Sequence, residues 1–85
     1  MTLVSLAKPG EHGRTAYVAS RKVGPAVRRN RAKRLLREGF RRLPAARRDE
    51  PRWRIWIARA SCSRSTAAEA SAEMERLVGR ESRGS

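Results

Sequence analysis

Apolar and polar positions alternate along Met1 to Ala7 (MTLVSLA), which places Leu3, Ser5 and Ala7 on one face of an extended segment and Val4 and Leu6 on the other. The pattern predicts a short β-strand. Lys8 to Gly13 then brings one proline and two glycines, a turn long enough for a hairpin loop. Thr15 to Arg21 (TAYVASR), rich in β-branched and aromatic residues, predicts a second strand. Gly24-Pro25 breaks it, because Gly frees the backbone and Pro suits the first turn of a helix, where its missing N–H would be unpaired anyway.

From Arg31 onward the period becomes helical. Ala32, Leu35, Leu36, Gly39, Phe40 and Leu43 share one arc of roughly 140°. Arg31, Lys33, Arg34, Arg37, Glu38, Arg41 and Arg42 fill the opposite side. The apolar arc has to pack on a sheet, so the basic face is aimed outward. Arg28 and Arg29 fall on the apolar side, so either the first turn overhangs the core or these two side chains work at its edge. Asn30 is a poor helix former, better suited to caps and polar contacts than to a helix interior.

Pro44 to Arg52 (PAARRDEPR) is polar with a proline near each end and predicts a loop. In Trp53 to Arg59 (WRIWIAR), Trp53, Ile55 and Ile57 alternate with Arg54 and Trp56, the pattern of a strand. Ser61 to Ser65 reads as another loop. Thr66-Ala67-Ala68-Glu69 has the form of a capping box, and Ala70, Met74, Leu77 and Val78 then recur as one helical stripe that ends at Gly79. The residues after it (RESRGS, 80–85) read as a frayed, disordered tail, leaving a single domain over 1–79. The order predicts an α+β fold: a small mixed sheet of about three to four strands, a basic crossover helix and a C-terminal helix.

Composition changes the picture in two ways. Six Leu, two Ile, five Val and one Phe make 14 of 85 residues. That share, about 16%, lies under the ~20% below which a highly charged chain tends to disorder. A chain of this length also buries only about 60% of its unfolded surface. The expectation is a marginal fold that a partner completes. The net charge of +13 names the chemistry of that partner, a polyanion that relieves self-repulsion.

The segment Arg28 to Arg42 sets eight cations against the single acid Glu38. Three readings are open for it: a solvated amphipathic helix, a membrane-surface helix, and a binder of nucleic acid. Solubility does not need such an excess, and a membrane helix would use an apolar arc that this sparse core cannot spare. An amide flanked by arginines suits RNA sugars, phosphates and base edges. No apolar run approaches the ~18 residues of a membrane span, and MTLVSLAKPG lacks the basic region and length of a signal peptide, so the expected location is the cytoplasm. Cys62 is the only cysteine and His12 the only histidine, too few for a disulfide or a zinc site. They read as a small half-buried thiol and a loop imidazole. No carboxylate cluster or nucleophile–base pair is evident, so no residue is expected to be catalytic.

Ser20 to Arg41, SRKVGPAVRRNRAKRLLREGFR, resembles the signature of the bacterial ribonuclease P protein subunit. That signature runs S-[KR]-K-x-G-x-A-V-x-R-N-R-x-K-R-x-x-R-[EQ]-x-F. Ser20, Lys22, Gly24, Ala26, Val27, Arg29, Asn30, Arg31, Lys33, Arg34, Arg37, Glu38 and Phe40 occupy its places. Trp53 to Arg59 and the closing helix also look like the family. This chain has Ala60 where proline usually stands, and lacks the acid often found ahead of the last strand. Met1 stands almost directly in the first strand, where the family first has an additional helix, so the resemblance is to an N-terminally short form.

The resemblance implies a fold like the second domain of the fifth ribosomal small-subunit protein. It also implies a role: assisting a large catalytic RNA with bound Mg²⁺ to remove the 5′ leader of precursor tRNA. The protein would hold no cofactor through its own side chains, and its partners would be the ribonuclease P RNA and precursor tRNA, with no membrane and no obligate protein partner. The RNA-binding residues would be Arg21, Lys22, Arg28, Arg29, Asn30, Arg31, Lys33, Arg34, Arg37 and Arg41. Lys33 and Arg37 would lie toward the leader, and Tyr17 could stack a leader base if it faces the cleft, or else be a core tyrosine. The rival reading is a structural or ribosome-associated RNA-binding protein without a nuclease role.

Overall fold

The computed structural model describes residues 1–60 and 65–84. Its elements are β1 (Thr2–Ala7), β2 (Arg14–Ala19), a single 3-10 turn (Arg21–Val23), α1 (Ala26–Arg41), α2 (Ala45–Arg48), β3 (Arg52–Ala58) and α3 (Ala67–Gly84). The three strands form one mixed sheet in the order β1-β3-β2. β3 runs antiparallel to β1, with Val4 opposite Ile55, and parallel to β2, with Ala16 opposite Ile55.

β1 and β2 are therefore not a hairpin, although the turn between them is long enough for one. β3 inserts between them because it carries the bulkiest apolar residues of the three strands on both faces, Trp53, Ile55 and Ile57 on one and Trp56 on the other. A strand with two apolar faces gains most at the centre of a sheet. The Lys8–Gly13 loop has to step over β3, helped by Gly10 at φ 81°. The parallel pairing of β2 with β3 makes α1 and α2 the crossover that such a pair requires.

Both long helices lie on one face of the sheet. Ala32, Leu36 and Leu43 from α1 and its end meet Trp56 and Ala58 from β3 and Met74 and Val78 from α3 in one buried cluster. The face of β3 turned to the helices is that of Arg54, Trp56 and Ala58, while the more apolar Trp53–Ile55–Ile57 row faces away. Arg54, only 2% exposed, decides this. Its guanidinium donates to both carboxylate oxygens of Glu81 on α3 at 2.7 and 2.9 Å, to Glu50 at 3.0 Å and to the Arg47 carbonyl at 2.8 Å. Arg52 donates to the Ser5 hydroxyl at 2.9 Å, and Ser5 in turn donates to Glu81.

This network also overturns the expected end of the last helix. Instead of stopping at Gly79 with a frayed tail, α3 continues to Gly84. Gly79 lacks the left-handed φ of a helix-ending glycine, and Glu81 in the next turn is tied to β1 and β3. The expected start of α3 holds: the Thr66 N–H donates to Glu69 at 3.1 Å and the Glu69 N–H to the Thr66 hydroxyl at 3.2 Å, a reciprocal capping box. The expected loop over Pro44 to Arg52 contains one helical turn, α2, opened by Pro44.

Gly39 lets α1 and α3 approach closely. A Cβ at this position would stand 3.1 Å from the Ala70 Cβ and 3.2 Å from the Met74 sulfur and the Ser71 nitrogen. Burial leaves two indole N–H groups, of Trp53 and Trp56, without a hydrogen-bond partner among the described residues. At about 1–3 kcal/mol each, such omissions keep a small fold marginal.

Gly39→Val is expected to lower stability by about 1–3 kcal/mol through overpacking, read from the urea midpoint. A second expectation concerns acid. Burial alone would raise the Glu81 pKa, but hydrogen bonds from Arg54 and Ser5 and the charges of Arg54 and Arg52 outweigh it and hold the carboxyl below its ordinary value. A depressed carboxyl contributes stability above its unfolded pKa of about 4.3 and loses it as pH falls through the folded value. Glu81→Gln should therefore cost about 3 kcal/mol at neutral pH and flatten the acid limb of the stability profile. A profile parallel to wild type would contradict this.

Candidate nucleic-acid interface

The basic helix begins at an unfinished end. Gly24, at φ 134°, turns the chain, and Pro25 stands at the cap with no side chain to accept from the first-turn N–H groups. The first turn holds no acid. Instead Arg28, Arg29 and Arg31 crowd the positive pole of the helix dipole, an arrangement unfavourable by itself and favourable with a phosphate in place.

Both readings of the two misplaced arginines are realised. Arg28 is exposed although it lies on the apolar side, because the first turn projects past the core. Arg29 is half-buried and donates to the Gly24 carbonyl at 3.3 Å, bracing the turn that leads into the helix. Beyond them Asn30, Arg31, Arg34, Arg37 and Arg41 are exposed, Lys33 is half-buried, and Arg21 and Lys22 are exposed on the 3-10 turn. Asn30, Arg34, Arg37 and Arg41 fall along one side of α1 by helical spacing, and Arg31 lies farther round the same exposed surface.

The acids that could neutralise this face are elsewhere. Glu81 and Glu50 are bound to Arg54, and only Arg41 meets a carboxylate on α1, Glu38 at 3.4 Å. Arg41 and Glu38 are both solvent-exposed, so that pair contributes little. Among the described residues, Arg31, Lys33, Arg34 and Arg37 have no acidic partner.

Tyr17 sits on the edge strand β2 and faces α1, not the open side of the sheet. Its ring meets Phe40 edge-on at 6.4 Å between centroids, and the Arg37 guanidinium lies 5.6 Å above it. Burial raises the Tyr17 pKa, and the charges of Arg37 and Arg41 oppose the rise without cancelling it. The tyrosine is thus both a flank of the core and the wall of an open notch of about 410 Å³ between β2, α1 and α2. Arg41, Arg48 and Asp49 complete that notch. Lys33, grouped with Tyr17 and Arg37 as a leader contact, does not line it.

Sequence reasoning passed over Arg48 and Asp49 because they sit in a stretch without periodicity, and only the crossover to β3 carries them to β2. It also passed over the bare face of the sheet. There Val4 and Leu6 are 50% and 56% exposed, and Trp53 is flanked by Lys8, 4.3 Å from its ring centroid, and Arg14 at 5.7 Å. His12 is exposed in the β1–β2 loop, and Cys62 lies outside the described residues. Among the described residues no three His, Cys, Asp or Glu side chains converge as a metal site, and no helix is long and apolar enough to cross a membrane.

Comparison with solved structures finds the same architecture in the ribonuclease P protein of Staphylococcus aureus, with a TM-score of 0.68 and 25% identity, over 91% of this chain and 70% of that one. The ribonuclease P protein of Thermotoga maritima, solved in complex with 1-(4-fluorophenyl)-2-thiourea, gives a TM-score of 0.69 and 27% identity over 92% of this chain and 76% of that one. No curated protein matches the chain. The family model described as ribonuclease P matches residues 1–82, almost the whole sequence. The chain belongs to the ribonuclease P protein family.

Proposed function

We propose that this chain docks on the catalytic RNA of ribonuclease P through the exposed cations of α1 and helps it remove the 5′ leader of precursor tRNA. The observation that carries this reading is the unneutralised face of α1, where Arg31, Arg34 and Arg37 stand exposed beside Asn30 with no carboxylate paired to them among the described residues. On this reading Arg21, Lys22 and Arg28 extend the same surface around the open N-terminus of the helix. Arg29 supports it from behind.

The protein's contribution is electrostatic and positional. Two RNAs brought together repel through their phosphates, and a rigid row of cations between them lowers that cost. By offsetting that repulsion the cations would ease the binding of Mg²⁺ by the RNA subunit, which would supply the hydrolytic chemistry. Arginine suits the task because its planar fork grips phosphate oxygens in pairs and keeps its charge at any physiological pH. The leader would pass near Tyr17, Lys33 and Arg37. The reading places the protein in the cytoplasm, with no second protein required.

Arg31→Ala and Arg34→Ala should each weaken assembly with the ribonuclease P RNA and reduce the slope of log affinity against log salt by about one. Unchanged slopes in both variants would remove this face from the interface. Reconstitution tests the role itself: at low Mg²⁺ the 85-residue chain should stimulate 5′ maturation of precursor tRNA by its cognate RNA. Tight RNA binding with no stimulation would favour the rival, a structural RNA-binding protein.

A further inference from the structure

The notch beside Tyr17 has a composition that phosphate docking does not explain. Its cations, Arg37, Arg41 and Arg48, are joined by an aromatic wall of Tyr17 and Phe40 and by one carboxylate, Asp49. Asp49 forms no ion pair among the described residues, although three arginines share the notch with it. Arg48 is steadied by donating its Nε to the Leu43 carbonyl at 3.0 Å. At about 410 Å³ the space falls within the range of small-ligand sites, roughly 300–1,000 Å³.

We propose that this notch is a pocket for a single unpaired guanine base of RNA, an inference that rests on the RNA-binding role argued above. The ring of Tyr17, already under the Arg37 guanidinium, supplies the stacking surface, and Arg41 and Arg48 supply charge for the phosphates on either side of the base. Asp49 sets the identity. Guanine alone presents two adjacent donors, N1–H and the N2 amine, on its Watson–Crick edge, and a carboxylate accepts both. Adenine and cytosine place a ring acceptor beside their single amine, and uracil flanks its one N–H with two carbonyls, so each would turn a lone pair toward the Asp49 carboxylate.

The test uses the full chain and a short single-stranded oligouridylate carrying one central guanosine, compared with the same strand carrying adenosine. The guanosine strand should bind about tenfold more tightly. Asp49→Asn should bring the ratio close to one while leaving affinity for the adenosine strand unchanged or improved. Tyr17→Ala should weaken the guanosine strand about tenfold, with Tyr17→Phe retaining most of the binding if the alanine variant fails to fold. Equal affinities in the wild type, or a ratio that survives Asp49→Asn, would overturn the pocket. The assay contains neither ribonuclease P RNA nor precursor tRNA. Its failure counts against the pocket alone, whereas failure to stimulate processing counts against the proposed function alone.

Discussion

A chain with so few large apolar residues carries an arginine at the centre of its sheet, and the placement of everything else depends on how that charge is satisfied. Arg54 sits on the middle strand, buried under the helices, and is held by Glu81 from α3, Glu50 ahead of β3 and the Arg47 carbonyl of α2. Burying such a charge is tolerable only when the geometry is close and every donor is directed. Here one guanidinium joins the last helix, the crossover and the sheet. Ser5 and Arg52 extend the network to β1. A hydrophobic residue in its place would pack as well, but would not dictate which helix turn meets which strand.

The network has a second effect. It engages Glu50 and Glu81, two of only eight acids, inside the fold. Three of the remaining six carboxylates, Glu69, Glu73 and Glu75, lie on α3, and only Glu38 lies on α1, so most of the charge on α1 stays uncompensated among the described residues. Gly39 adds to this by letting α3 lie close against the inner side of α1, which fixes the rotation of the basic helix about its own axis. The exposed cations therefore project at helical spacing from a braced helix. Both the cohesion of the fold and its attraction for polyanions follow from the same distribution of charge.

Much of this was legible in the residues themselves. The apolar arc of α1, the capping box at Thr66 and the strand character of 53–58 are local patterns, and local patterns survive into the fold. The resemblance of Ser20 to Arg41 to a known signature placed the family. What could not be read was set by distant pairing. β3 displaces the hairpin because of what it buries on both faces, and Arg54 turns inward because Glu81 waits 27 residues later. The continuation of α3 past Gly79 depends on that same contact. Likewise the notch beside Tyr17 is assembled from three elements, and no short stretch of sequence contains its parts.

The proposed role requires that α1 and the turn leading into it present one oriented cationic face to RNA, while the positive charge on α3 is incidental. Its most direct measurement is the residue-by-residue protection of arginines from phenylglyoxal when ribonuclease P RNA is added to the full chain. Arg31, Arg34 and Arg37 should become protected, while Arg76 and Arg80, exposed on α3, stay reactive. Equal protection of all five, or protection confined to α3, would contradict it.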